Sequence, residues 1–261
     1  VNCIRNKVSD EAKPFVHMAA TSFDISDTAN AMRFKECVEK VFIPSLVRLE
    51  KVLIDIALRE IQTVQIGRTH GQHAVPISFG FAVVGYVSRL GGSIKALKTL
   101  VAKLVGKFSG AVGAYNASSL FFDDPEDFEV EVLAELGIAS AEYSTQIVPP
   151  EALARLLSES VIVAGVLANL ARDMRNLQRT EIGEVGEEFG ESQVGSSTMA
   201  QKQNPINFEN IESMHKLVVG RLPTVLLDQI SEHQRDLTGS ASARSYGEII
   251  AYVVSMTKRM T

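Results

Sequence analysis

A chain of 261 residues, 46% hydrophobic, with 7% aromatics and no tryptophan, is long enough to bury a sizeable core and is composed for helices rather than a β-sandwich. Its formal net charge of −5 excludes a general nucleic-acid binder, which would show a basic surplus, though a local basic pocket for a phosphate remains open. Two cysteines, Cys3 and Cys37, give neither a disulfide framework nor metal spacing, and no signal peptide or membrane-length apolar run is read, so a soluble cytoplasmic protein that binds no membrane is expected.

Residues 1–16 are short and mixed. Val16–Ala29 is a polar, small-residue segment in which Thr21 and Ser22 read as a helix N-cap pair. Lys35 to Gln62 is predicted as a helix, with Val38, Phe42, Leu46, Leu49, Leu53 and Ile56 three and four residues apart. GRTHGQHAVP, Gly67–Pro76, interrupts it. The next helix, Ile77–Lys107, carries Val83, Val87, Leu90, Ile94, Leu97, Val101 and Leu104 in a heptad-type seam that needs another helix against it. An acidic FDDPEDFE leads into a short helix ending near Gly137, and STQIVPPE is a second break. A third long helix, Ala152–Ile182, repeats the heptad pattern through Leu153, Leu156, Ser160, Val163, Leu167, Leu170, Met174 and Leu177. Gly195–Asn210, GSSTMAQKQNPINFEN, is the next polar loop. A helix from Ile206 meets Pro223, where a kink is expected, and EHQRDLTGSASAR separates it from a last helix. The fold class expected is all-α, an elongated bundle of long helices.

Function should sit in the polar breaks. Their positions impose a constraint. Residues 35 to 62 in one helix span about 42 Å at 1.5 Å per residue, so Thr21–Ser22 and Thr69–His70 lie at opposite ends of one rod. If both act in catalysis, one site must combine breaks from different subunits.

The loop Gly195–Asn210 presents Ser196 and Ser197, then Lys202 and Asn204, with Glu209 seven residues after the lysine. A hydroxyl, an ammonium, an amide and a carboxylate on a glycine-rich lip suit a substrate bearing anionic groups, although the same residue types also make a plain polar loop. Near the end, Arg235, Ser240 and Arg244 could form a phosphate clamp, since guanidiniums bind oxyanions in bidentate fashion, or be solvated surface residues.

The order GSSxMxxKxN with Glu seven residues after the lysine resembles the signature of the fumarase/aspartase superfamily, and GSSTM…K.NPINFEN is most similar to its adenylosuccinate lyases. THGQHAVP resembles the family's THxQxAxP motif, HMAATS its HxxxTS segment, STQIVPP the segment of its substrate-contacting glutamine and QRDLTGSASAR its nucleotide-phosphate contacts, so with the serine loop five motifs follow in family order. Ala200 and Gln201 depart from the family's usual Pro and His or Tyr, His73 stands where Pro is common, and Pro150–Glu151 replaces a usual Arg-Asp.

The resemblance implies a lyase that eliminates fumarate from adenylosuccinate, giving AMP, and from the related succinyl-carboxamide ribotide. It implies Ser196 as the base, Lys202 and Asn204 stabilising the aci-carboxylate, and His70 as the general acid paired with Glu209. A carboxylate partner favours the protonated imidazole, which can then donate. Thr21, Ser22, Thr69 and Gln146 would bind the succinyl part, and Arg235, Ser240 and Arg244 the phosphate. A homotetramer with shared sites is implied, as is a small-molecule nucleotide substrate and no metal or organic cofactor. Residues 1–261 correspond to the central helical domain, the family's N- and C-terminal domains being absent from this chain. A sister lyase acting on argininosuccinate or carboxymuconate, or a catalytically silent homologue, is the alternative.

Overall fold

The computed structural model describes residues 1–187, 199 and 202–261. After a short helix α1 (Asn2–Arg5) and a 3-10 turn, the chain enters α2 (Ser22–Cys37), thirteen residues earlier than the apolar periodicity places it. Asp24, the third residue of α2, closes a capping box with Thr21, whose N–H donates to Asp24 Oδ2 at 2.7 Å. The first turns of α2 bury Asp24 and Thr28, so their inward face is polar and carries no hydrophobic stripe.

A five-residue π turn, Val38–Phe42, joins α2 to α3 (Ile43–Arg59) without leaving helical backbone angles. Pro44 accounts for it: lacking an N–H and crowding the carbonyl four residues back, it sits badly in a regular α-turn. From Ser22 to Arg59 this rod runs about 57 Å at 1.5 Å per residue.

The break Gly67–Pro76 is a β-hairpin, β1 (Val64–Thr69) paired antiparallel with β2 (Gln72–Ser78) and bulged between Ile66 and Arg68. It is the one sheet among the described residues, and the rest of the architecture is the expected helical bundle. α4 (Phe79–Val101) starts on a Ser78 side chain that accepts from the Phe81 N–H at 3.1 Å. It stops six residues short of Lys107. The short α5 (Pro125–Glu135) is capped by Asp124, and α6 (Glu151–Leu177), α7 (Ile206–Leu227) and α8 (Tyr246–Met260) complete the bundle.

α6 is the central helix. It packs on α4, α7 and α8 and buries Leu156, Leu157, Val163, Leu167 and Leu170. Each such side chain contributes roughly 1.5–3 kcal/mol by leaving water. This helix is also long and apolar enough to cross a membrane by length and composition, and most of its apolar stretch is buried inside the bundle. The neighbours run antiparallel, as cross-helix contacts record. Arg89 donates to Asn169 and Tyr86 to Asp173 between α4 and α6; Arg172 donates to Glu212 between α6 and α7; Arg221 reaches Glu248 and Arg259 reaches Asn207 between α7 and α8.

That up-and-down order sorts the polar breaks into two groups. One end of the bundle gathers the hairpin, the end of α6 and the start of α7. The other gathers the start of α2, the segments 104–113 and 144–148, and the connection between α7 and α8.

Candidate active site

At the hairpin end, Thr69 and His70 stand exposed at the tip. His70 and Gly71 are the two central residues of a two-residue turn, with φ 55° and 75°. Both residues of this turn type need the left-handed region, which glycine and asparagine occupy at least cost. The turn itself gives no reason for histidine. Histidine is among the non-glycine residues found in this region, and His17 and His233 occupy it here as well.

The hairpin is tied down by Glu184, which accepts from Gln65 Nε2 at 2.8 Å and from Arg68 Nη2 at 2.5 Å. The Arg68 hydrogen bond holds the Glu184 carboxyl below the usual carboxylate range. Three residues on, Glu187 caps α7, accepting from the N–H groups of Asn207 at 3.2 Å and Phe208 at 2.9 Å. The segment Glu184–Glu187 therefore links the hairpin to the start of α7. Lys202 is exposed, Asn204 is half-buried, and Glu209 projects exposed from the first turn of α7. So Thr69, His70, Lys202, Asn204 and Glu209 share one end of the molecule. Ser196 and Ser197 lie outside the described residues, as do Ala200 and Gln201. Among the described residues, no hydrogen bond or ion pair joins His70 to Glu209 within the chain.

The far end holds the remaining candidates. Thr21 caps α2 and Ser22 begins it, exposed. The next residue, Phe23, lies under the Arg235 guanidinium, whose carbon is 3.6 Å from the ring centroid. Gln146 is half-buried in a segment gripped by α2, since Asp27 Oδ2 accepts from the Val148 N–H at 3.0 Å. Burial pushes the Asp27 carboxyl up, against that hydrogen bond and the charge of Arg235.

A cavity of about 820 Å³ opens here, and Arg235, Ser240 and Arg244 all line it. Arg235 Nε is buried and has no hydrogen-bond partner among the described residues. Opposite, Asp228 is occupied, accepting from Ser242 Oγ at 2.5 Å and Tyr246 Oη at 2.6 Å. Phe34, Ile147 and Ile250 add apolar wall. The three candidate phosphate-clamp residues are thus brought together, with Phe23, the neighbour of Ser22, in the same lining. Arg33 and Asn30 of α2 join the cavity lining without having been singled out by the sequence, because the helix that presents them was read as starting at Lys35.

The candidates therefore fall into two constellations at opposite ends of one bundle. α6 alone, at 27 residues, separates those ends by about 40 Å.

A family model described as Lyase matches residues 3–220. The chain is 40% identical over 240 residues to adenylosuccinate lyase of Pyrococcus abyssi, covering 92% of this chain and 52% of that protein. It is 36% identical over 245 residues to adenylosuccinate lyase of Thermotoga maritima, covering 94% and 55%. Among solved structures it superposes on 3-carboxy-cis,cis-muconate lactonizing enzyme from Pseudomonas putida with a TM-score of 0.87 at 28% identity, covering 99% of this chain and 58% of that one. The chain spans about half the length of the curated relatives it matches. On the extent of the family match and the helical bundle that carries it, the chain belongs to the Lyase family.

Proposed function

We propose that this chain is the bundle of a cytoplasmic lyase that cleaves adenylosuccinate to AMP and fumarate, and the related succinyl-carboxamide ribotide in the same way. The observation that carries the reading is the cavity lined by Arg235, Ser240 and Arg244, two guanidiniums and a hydroxyl in one recess. A phosphate-bearing substrate needs such a corner, and argininosuccinate and carboxymuconate bear none. The adenylosuccinate lyases among the relatives support the same choice.

The reaction is a β-elimination. Ser196, as alkoxide, takes the proton from the carbon next to a succinyl carboxylate. The electron pair moves into that carboxylate, and Lys202 and Asn204 stabilise the aci-carboxylate that results. Collapse breaks the carbon–nitrogen bond and forms the double bond of fumarate. His70, paired with Glu209, gives its proton to the departing amine nitrogen of AMP. Thr21, Ser22, Thr69 and Gln146 hold the succinyl carboxylates, helped by the N-terminus of α2, whose dipole favours anions.

With His70 and Arg244 at opposite ends of one bundle, a complete site draws on more than one subunit. A homotetramer of antiparallel bundles places the hairpin end of one chain against the cavity end of another.

Fumarate release tests the reaction. The full protein should consume adenylosuccinate and leave argininosuccinate untouched, and Arg244→Lys, which keeps the charge but loses the planar fork, should raise KM for the nucleotide about tenfold or more. Turnover of argininosuccinate, or an unchanged KM in Arg244→Lys, would contradict the assignment.

A further inference from the structure

The segment after α4 contains a lysine that the chemistry above does not use. Lys107 is completely buried, and its Nζ forms an ion pair with Asp24, whose side chain is equally inaccessible. A charge this deep is costly unless it is paired and fully hydrogen-bonded. Here it is paired, and Lys107 Nζ also donates to the Gly110 carbonyl at 3.1 Å, so two of its three donors are placed.

The carboxylate of Asp24 is the hub. Oδ2 accepts from the N–H of Thr21 at 2.7 Å; Oδ1 accepts from Lys107 Nζ and from the Gly110 N–H at 3.3 Å. Three donors from two separate segments converge on one group, which only a carboxylate has enough acceptors to serve. A second, independent anchor lies one helical turn further on. Thr28 Oγ1 donates to the Lys107 carbonyl at 3.1 Å and accepts from the Lys107 N–H at 3.0 Å. The segment then runs on to Gly113, whose φ of 73° and close approach to the Ser144 carbonyl leave no room for a side chain; a Cβ there would lie 2.1 Å from that oxygen. Ser109 and Ser144 hydroxyls pair at 2.7 Å. Residues 107–113 thus join Thr21–Ser22 on one side to the segment carrying Gln146 on the other.

The pairing also has an electrostatic consequence. A lone carboxylate at the third position of α2 would hold the helix N-terminus for itself and repel an incoming anion. Lys107 neutralises it, so the first turn carries no net charge and its dipole stays available.

We infer that Asp24 and Lys107 are positioning residues for the dicarboxylate half of the substrate: they fix Thr21 and Ser22 relative to the 110–113 loop and cancel the charge that would oppose binding there. The inference rests on the proposed role of Thr21 and Ser22.

The test uses the full protein with Asp24→Asn and Lys107→Met together. This pair of changes leaves no unpaired buried charge and keeps the Thr28 anchor, so the fold survives where Lys107→Met alone could lose it. The amide introduced by Asp24→Asn has one acceptor oxygen in place of two, so it can serve Thr21 or Gly110 but not both, and the strap is cut. Expected are a Tm lowered by only a few degrees, a KM for adenylosuccinate and a Kd for fumarate both raised about tenfold, and an unchanged Kd for AMP. A structural role alone would not separate the two products. Unchanged fumarate affinity in the double variant, or equal losses for fumarate and AMP, would overturn the inference while leaving the lyase reading intact. A wild-type protein that binds no fumarate would overturn both.

Discussion

His70 shows how a single residue can carry information that its neighbours do not. Its backbone sits at φ 55° in a turn whose geometry prefers asparagine or glycine, and its ring is exposed. That makes an informative substitution available. His70→Asn suits the turn better than histidine, so stability should stay the same or rise by up to about 1 kcal/mol. Turnover should nonetheless fall roughly 10²–10⁴-fold, the usual cost of losing a general acid, with KM little changed. Thermal unfolding beside steady-state kinetics checks both halves: early unfolding would contradict the reading of the turn, and normal turnover would remove His70 from the chemistry. At this scale the sequence was most legible at Thr21, read as a helix N-cap and found capping α2. It was silent about Lys107, because nothing in a run such as GKFSG signals that the lysine is turned inward against a carboxylate 83 positions away.

At the scale of elements, legibility followed the hydrophobic stripe. Leu90, Ile94, Leu97 and Val101 of α4, and Leu156, Val163, Leu167 and Leu170 of α6, are buried as the heptads require. The start of α2 has no such stripe, since what it buries is Asp24, Thr28 and Ala31, so the sequence marked its N-cap at Thr21 but not the helix that runs from there to Lys35. Lys35, where that reading began, is simply where apolar spacing resumes. The hairpin escaped for a related reason. Its strands are short and β2 is largely exposed, so alternation marks no buried face. What holds it is polar, namely Glu184 accepting from Gln65 and Arg68. Because Arg68 lowers the folded-state pKa of Glu184, this anchorage is complete above the ordinary glutamate range and is lost as pH falls through the depressed value. Intrinsic-rate-corrected protection of the β1 amides should therefore drop on acidification in the wild type. In Glu184→Gln it should already be low at neutral pH and vary little. Identical protection in the two proteins would mean that the hairpin is held by something else.

For the whole molecule, the decisive fact is the separation of two constellations along antiparallel helices. Thr69, His70, Lys202, Asn204 and Glu209 stand at one end; Thr21, Ser22, Gln146, Arg235, Ser240 and Arg244 stand at the other. A bundle that is rigid over about 40 Å cannot fold one group onto the other, so catalysis by all of them requires chains to exchange ends. The most direct measurement is complementation. His70→Asn and Arg244→Met, each nearly inactive alone, are co-expressed with different affinity tags, and hybrid oligomers are purified through both tags and assayed for fumarate release. Shared sites predict that some combine a wild-type hairpin end with a wild-type cavity end, restoring about a quarter of wild-type activity in a random mixture. Hybrids that assemble and stay as inactive as their parents would show that each site is built from a single chain, and would contradict the account.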